Sequence, residues 1–229
     1  MVLSSKITFN SVDSGLVYES ENIKHLKSQN NLKKIQNLEN IKSIFCHIYT
    51  YYAIDDEGTC YSWSTGAKNP SRNPRIGISR IPEKVIFGQN NPKIISVSAA
   101  LNHTLFLSER GEVFCVGENK FGQLGIGSTD SVTCPIQNSH IPQNISKIAT
   151  WEDYSLFLDP QGTVYACGNN SKGNLGSLDG PIKNLYPFEI EELLNHEIKF
   201  LIASDYLGAI SITNTLIIMK NGLIFTKRL

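Results

Sequence analysis

The sequence predicts an all-β fold, a β-propeller-like array of about four to five repeats with four-stranded blades. Two observations support this prediction. A glycine-rich segment at 111–127 recurs in degraded form at 162–177, and the first glycines of the two copies are 51 residues apart. Short runs of β-branched and aromatic residues flank these glycines. A long pattern recurring at such a spacing indicates a repeat protein, and short strands in a period of about 50 residues are typical of propeller blades.

The repeats can be followed along the chain by the glycine between two predicted strands. Gly58 lies 53 residues before Gly111, and a weaker copy at Gly15 lies 43 residues before Gly58. Gly222 lies 60 residues after the glycine of the second copy, which indicates about nine additional residues within 203–214. We therefore expect one repeat domain over 1–229, with a degenerate repeat at 1–40, repeats at 41–92, 93–144 and 145–197, and a C-terminal repeat at 198–229.

Each repeat contains two kinds of strand signal. The first is a segment of the form Ile-x-x-aliphatic, which begins at Ile41, Ile94, Ile145 and Ile198. The second is a hairpin in which glycine supplies the positive φ angle that a tight turn needs. Helical periodicity is limited to 32–41 and 189–196, so strands are expected to dominate.

Charge and cysteine content exclude several classes of protein. The 21 basic and 21 acidic residues give a formal net charge of +0, so no overall positive field favours nucleic acid as the primary partner. The five cysteines are never at CxxC spacing, and Cys60, Cys115 and Cys167 lie in predicted strands. Reduced core cysteines are expected, with no disulfide framework and no metal site.

Targeting signals are also lacking in the sequence. No apolar run reaches the length of a membrane span, and the first ten residues contain no signal-peptide core. These features predict no membrane partner and a location in the nucleus or cytoplasm.

The glycines at 117, 122, 125 and 127 superficially resemble a phosphate-binding loop. A true phosphate loop leads into a helix and carries a Lys-Ser/Thr pair, whereas this segment continues into Ser-Thr-Asp-Ser. We expect a structural role for the glycines, with Leu124 and Leu175 packed between blades. Neither a catalytic constellation nor a cofactor-binding motif is present, so whether the chain is an enzyme stays open.

The combined pattern resembles the regulator of chromosome condensation repeat family, most specifically at 117–127. Ala100 and Trp151 replace a glycine that is usual in the family. Complete members close seven blades, which needs roughly 350 residues, so this chain would form an incomplete or unusually small array. It is similar to the short arrays of effectors that intracellular bacteria send into host cells, which would imply the host nucleus as its location.

The resemblance implies a partner and a site. In family members that act on the small GTPase Ran, the contact residues include a histidine and an aspartate just before that histidine position. His103 matches the first in its repeat, and Asp153 matches the second in the next repeat. The implied partner-binding residues lie on one face: Asn102, His103, Trp151, Glu152, Asp153, Tyr154 and Asp205.

Two functions remain open at this point. The first is a protein that engages Ran, either as a guanine-nucleotide exchange factor or as a modulator of nuclear transport. The alternative is a non-enzymatic scaffold propeller that docks another protein. Trp151 could be an interface anchor, since tryptophan buries a large area with few torsions, or it could fill space beside a neighbouring loop. If the first function holds, Asp153→Ala should weaken Ran capture with almost no change in melting temperature.

Overall fold

Nineteen strands form five antiparallel sheets in the part of the chain that the computed structural model describes. That part comprises residues 7–10, 17–20, 33–47, 50–64, 79–89, 91–173, 175, 181–193, 198–203, 207–211, 215–220 and 223–228.

The strands are numbered in chain order. Sheet 1 contains β1 (Ile7–Asn10), β2 (Val17–Ser20) and β3 (Lys33–Lys34). Sheet 2 contains β4 (Ile41–His47), β5 (Thr50–Asp55), β6 (Cys60–Ser64) and β7 (Glu83–Lys84). Sheet 3 contains β8 (Ile94–Ala99), β9 (His103–Ser108), β10 (Val113–Gly117) and β11 (Val132–Gln137). Sheet 4 contains β12 (Lys147–Trp151), β13 (Tyr154–Leu158), β14 (Val164–Asn169) and β15 (Lys183–Glu189). Sheet 5 contains β16 (Ile198–Ala203), β17 (Leu207–Ser211), β18 (Thr215–Lys220) and β19 (Leu223–Arg228).

Each sheet is a meander in which strands that follow one another in sequence are hydrogen-bonded neighbours. Successive sheets contact each other through their first strands, since β12 touches β8 and β9 of the preceding sheet and β16 of the following one. Each sheet is therefore one blade, with four strands in sheets 2 to 5 and three in the described part of sheet 1. The expected all-β array with four-stranded blades, incomplete relative to a seven-bladed ring, is confirmed.

The core lies between blades, because both faces of an inner blade are covered. Leu105 and Leu107 of β9 pack toward sheet 4, whereas Phe106 between them packs toward sheet 2. Successive side chains of a strand point to opposite faces, so a strand covered on both sides is a continuous run of buried residues. Leu124 and Leu175 are buried in the clusters on either side of sheet 4, which confirms their expected place between blades.

The turn between the second and third strands has the same geometry in three blades. The Asp55 carboxylate accepts the backbone N–H groups of Glu57 at 3.0 Å and Thr59 at 2.7 Å. Asp159 accepts the N–H groups two and four residues later at 2.9 and 2.8 Å. At the same position in sheet 3, the Ser108 hydroxyl accepts the N–H of Glu112 at 3.1 Å. A short polar side chain that binds its own backbone in this way stabilises the turn.

The last repeat differs from its expected arrangement. Gly222 was aligned with Gly58, Gly111 and Gly162, each of which lies between the second and third strands of its blade. Gly222 itself lies outside the described residues, but its flanking strands β18 and β19 are the third and fourth of sheet 5. The residues 207–211 form the second strand. An Asn-Gly sequence indicates a hairpin without indicating which strands it joins, so alignment on the glycine alone was misleading.

Little of the described chain is helical. Residues 33–34 are extended, and a short 3-10 helix at Glu191–Leu193 lies within the weak helical pattern at 189–196. Among the residues that the structure describes, no helix has the length and apolar character needed to cross a membrane.

Candidate loop-face binding site

In each antiparallel blade, the loop that joins the first and second strands lies at the same end as the loop that joins the third and fourth strands. We call this end of sheets 3 and 4 the loop face, formed by residues 100–102, 118–131, 152–153 and 170–173. The opposite end, with the turns at Gly58, Gly111 and Gly162, is the hairpin face. All the predicted contact residues except Asp205, which lies outside the described residues, are in or beside the loop face.

Hydrogen bonds hold the two blades together near the loop face, each between a residue and the position one beyond its repeat equivalent. The Ser98 and Thr150 hydroxyls are 2.9 Å apart, and His103 Nε2 is 2.9 Å from the Ser155 hydroxyl. Both pairs join residues 52 positions apart in sequence. Neighbouring repeats thus present their first loops side by side.

His103 and Tyr154 differ from their predicted roles as contact residues. The exposed fraction is 0% for His103 and 2% for Tyr154, so both side chains support the loops from inside and do not reach the surface. Burial lowers the pKa of His103 to about 3, although the backbone at Glu152 and Tyr154 partly opposes that effect. A neutral histidine therefore bridges the two blades at ordinary pH.

Asp153 is half-buried between the two loops. The Gln123 side-chain amide donates to its Oδ1 at 3.3 Å. Burial raises the pKa of Asp153, and the nearby carboxylate of Glu152 adds to this effect, while the Asn102 side chain, Lys120 and Lys172 lower the pKa. The aspartate therefore belongs both to the surface and to the contact between blades, and its removal should cost some stability.

Glu152 is the exposed acid of the pair. Its backbone has a φ angle of 37°, a conformation uncommon for residues other than glycine. Its carboxylate lies 3.5 Å from Lys172 Nζ, and both side chains are more than half exposed, at 57% and 60%. An ion pair this exposed contributes little to stability. Because the Glu152 side chain is exposed, its carboxylate is accessible to a partner.

Trp151 and Asn102 add polar atoms that lack partners. Trp151 is half-buried against the cluster between sheets 4 and 5. Its Nε1 and the Asn102 Oδ1 are buried without a hydrogen-bond partner. Buried polar atoms are nearly always satisfied in proteins, so these two atoms, together with His103 Nδ1, make this blade boundary unusual.

The glycine-rich segment packs against the next blade. An added Cβ at Gly122 would lie 2.6 Å from the Asn184 carbonyl oxygen, and one at Gly127 would lie 2.6 Å from the Tyr186 ring. Asn119 holds the loop from inside, since its side chain accepts the Leu124 N–H at 2.9 Å and donates to the Ser128 carbonyl at 2.8 Å. Close contact with β15 explains the glycines without a bound phosphate.

Sequence reasoning missed Gln123, which we find in direct contact with Asp153. The Gly-Gln-Leu-Gly segment was seen only as scaffold, and its repetition was the signal that could have identified a contact between repeats. Cys60, Cys115 and Cys167 are buried free thiols, as expected. Across the described ranges, no cluster of three or more histidine, cysteine, aspartate or glutamate side chains could hold a metal.

The hairpin face carries a series of concavities instead of a single pocket. Cavities of about 580 and 630 Å³ share Asn91, Pro92 and Lys93, and a third of about 340 Å³ shares Arg110, Glu112 and Gln137 with the first. Acidic and basic side chains occur together along them, so this face has no single sign of charge.

Comparisons with known proteins agree with this architecture. Models of the regulator of chromosome condensation (RCC1) repeat match residues 110–158 and 94–123. The human Protein RCC2 is 37% identical over 124 residues, which cover 54% of this chain and 24% of that protein.

Two solved structures share the fold. Human WBSCR16 superposes with a TM-score of 0.71 at 16% identity, covering 93% of this chain and 59% of that chain. Prp20p from Saccharomyces cerevisiae gives a TM-score of 0.70 at 17% identity, covering 92% and 55%. The chain thus spans about a quarter of the curated relatives' length and a little over half of these structures. The matched repeat models together with the blade architecture show that the chain contains repeats of the regulator of chromosome condensation family.

Proposed function

We propose that the chain is a protein-binding propeller that engages the small GTPase Ran through the loop face of sheets 3 and 4. Support comes from its structural neighbour Prp20p, described as yeast RCC1 and studied for its binding properties to Gsp1p and histones. Ran and Gsp1 are small GTPases of the same kind.

The observation that carries this proposal is that two acidic side chains and a tryptophan, which differ in exposure, lie together at the boundary between sheets 3 and 4. An exposed acid, Glu152, stands beside a half-buried acid, Asp153, and a half-buried tryptophan, Trp151. Aromatic anchors next to polar groups that lose water on binding are typical of the residues that dominate interface energies.

Nucleotide exchange requires no reactive side chain. A factor that binds nucleotide-free Ran more tightly than loaded Ran lowers the affinity of the nucleotide by the same factor. Glu152 and Asp153 would supply acidic groups that compete for the basic residue and magnesium region of the GTPase. Binding with equal affinity for all states would instead make the chain a modulator of Ran, and so of nuclear transport, without exchange.

The test is capture of purified Ran in nucleotide-free, GDP-loaded and GTP-loaded states, measured by titration. We expect Trp151→Ala and Asp153→Ala each to weaken capture about 30- to 1000-fold, the range for loss of an interface anchor worth about 2–4 kcal/mol. A tighter complex with nucleotide-free Ran, together with faster release of labelled GDP, would identify exchange.

A matched control lies on the opposite face. Glu109→Ala and Arg110→Ala change exposed charges beside the concavities of the hairpin face, and both should leave capture unchanged. The opposite result, with normal binding by Asp153→Ala and loss in the hairpin-face variants, would favour a scaffold that docks another protein. The continuous concavities of the hairpin face are the observation that supports this alternative. A nuclear or cytoplasmic location stays a prediction in either case.

A further inference from the structure

Gln123 is polar but lies in the interior, with an exposed fraction of 0%. Its side-chain oxygen accepts the backbone N–H of Phe121 at 2.9 Å. Since that N–H can only donate, the contact identifies which end of the amide is oxygen. The –NH₂ group of Gln123 must therefore point in the other direction.

That other direction leads to the next blade. The –NH₂ group donates to Asp153 Oδ1 at 3.3 Å. The backbone carbonyl of Gln123 accepts the Ser155 hydroxyl at 2.7 Å, and that hydroxyl also contacts His103 Nε2 at 2.9 Å. One buried residue of repeat 93–144 thus holds both the second strand and the first loop of the repeat that follows.

The groups around Asp153 have opposite effects on the ionisation of its carboxyl group. Asn102, Lys120 and Lys172 favour its ionised form, whereas burial and Glu152 favour the protonated form. A hydrogen bond donated to a carboxylate stabilises the charged state, and its effect is greater where water is partly excluded. The Gln123 amide, which donates to Asp153 Oδ1 at 3.3 Å, has the geometry to act in the same direction as the first set of groups.

We infer that Gln123 is a positioning residue, which holds the Asp153 carboxylate ionised and in place between the two loops so that it can meet a basic group of a partner. The last step of this inference rests on the proposed function, whereas the contact itself does not. The site would then be assembled across a repeat boundary, with the acid from one repeat and its orientation from the repeat before.

The first experiment needs no partner. The carboxyl carbon of Asp153 and the side-chain amide of Gln123 are followed by NMR as pH is lowered, in the wild type and in Gln123→Glu and Gln123→Met. We expect the wild-type amide signals to shift with the same midpoint as Asp153, and the midpoint of Asp153 to rise in both variants. Gln143→Glu, the same substitution at an exposed site of the hairpin face, should leave that midpoint unchanged.

A solely structural role gives a different result. Gln123→Met would then lower the melting temperature without moving the Asp153 midpoint, and this outcome would overturn the inference. Should a variant fail to fold, the wild-type amide titration still decides, because an amide that does not respond to Asp153 ionisation contradicts the contact.

The second experiment adds Ran at pH 7. We expect Gln123→Glu to weaken capture about tenfold or more, and we expect no further loss when it is combined with Asp153→Asn. If wild-type protein does not capture Ran, the proposed function fails, yet the titration still tests the positioning. If Ran is captured normally by Gln123→Glu while the midpoint of Asp153 has risen, the positioning is real but the partner does not use it.

Discussion

The two ends of the blades differ in how similar the residues at equivalent positions of the repeats are. At the hairpin face, Asp55, Ser108 and Asp159 make the same turn, each followed three residues later by a glycine. At the loop face, the equivalent loops contain Leu101 and Asn102 in one blade but Glu152 and Asp153 in the next. The hairpin end must fit a fixed backbone path against the following blade. The loop end needs only to be held from below, so its exposed side chains can diverge and acquire a binding role.

The largest expected effect is at the hairpin face. Gly111 has a φ angle of 75°, and an added Cβ would lie 2.5 Å from the Asn144 Cα in the connection that leads to the next blade. Gly111→Ala should therefore lower the free energy of unfolding by about 3 kcal/mol, measured by denaturant titration, because strain and collision add.

Gly88 provides a matched control for that change. Its φ angle is similar, at 73°, but no atom lies within 4 Å of an added Cβ. Gly88→Ala should cost only the conformational strain, about 1 kcal/mol. Equal losses in the two variants would mean that contact between blades does not constrain the hairpin end.

His103 tests whether the interior beneath the loop face acts as scaffold. Burial lowers the pKa of His103 from 6.5 to about 3, so the folded state binds fewer protons than the unfolded state between these values. Stability should be full above pH 6.5 and should fall as pH drops toward 3, by up to about 1.4 kcal/mol per pH unit from this group.

His103→Gln should reduce the loss of stability at low pH, because the glutamine amide can still reach Ser155 but does not titrate. Thermal unfolding recorded from pH 8 to pH 3 measures the effect. His140→Gln, which changes an exposed histidine, should leave the profile of the wild type in place. An unchanged slope in His103→Gln would show that other groups cause the acid sensitivity.

The smallest effect concerns Glu152 and has opposite signs for stability and binding. Its φ angle of 37° suits glycine, so Glu152→Gly should raise the free energy of unfolding by up to about 1 kcal/mol. The same change removes the exposed acid and should weaken Ran capture. Glu152→Gln keeps the backbone strain while removing the charge, so it should weaken capture without the gain in stability. Normal capture by both variants would exclude Glu152 from the contact surface.

The blades were predictable from sequence because their turns have a local cause. A glycine between β-branched runs marks a hairpin through chemistry that acts over five or six residues, and Gly58, Gly111 and Gly162 each join second and third strands. In the last repeat the same signal at Gly222 was aligned with these three, although its flanking strands are the third and fourth of sheet 5. Pairing order depends on which other segments compete for each strand edge, and a local pattern does not contain that information.

The candidate site was predictable only in its location. Repeat equivalence correctly brought Asn102 and Glu152-Asp153 to one end of adjacent blades. It did not distinguish the exposed Glu152 from the buried His103 and Tyr154, because all three positions lie at or next to a strand end. Burial there depends on how closely the neighbouring blade approaches.

By itself the sequence determined the repeat and its strands, because both follow from backbone preferences and side-chain periodicity within one unit of the chain. The motif at 117–127 added the resemblance to the repeat family. Tertiary structure alone decided that Gln123 faces Asp153, that His103 is buried and bridges to Ser155, and that Trp151 keeps an unpaired nitrogen. Each of these contacts joins residues about 30 or more positions apart, or depends on what surrounds the side chain. Their geometry is therefore set by the packing of one blade on the next, which no single repeat encodes.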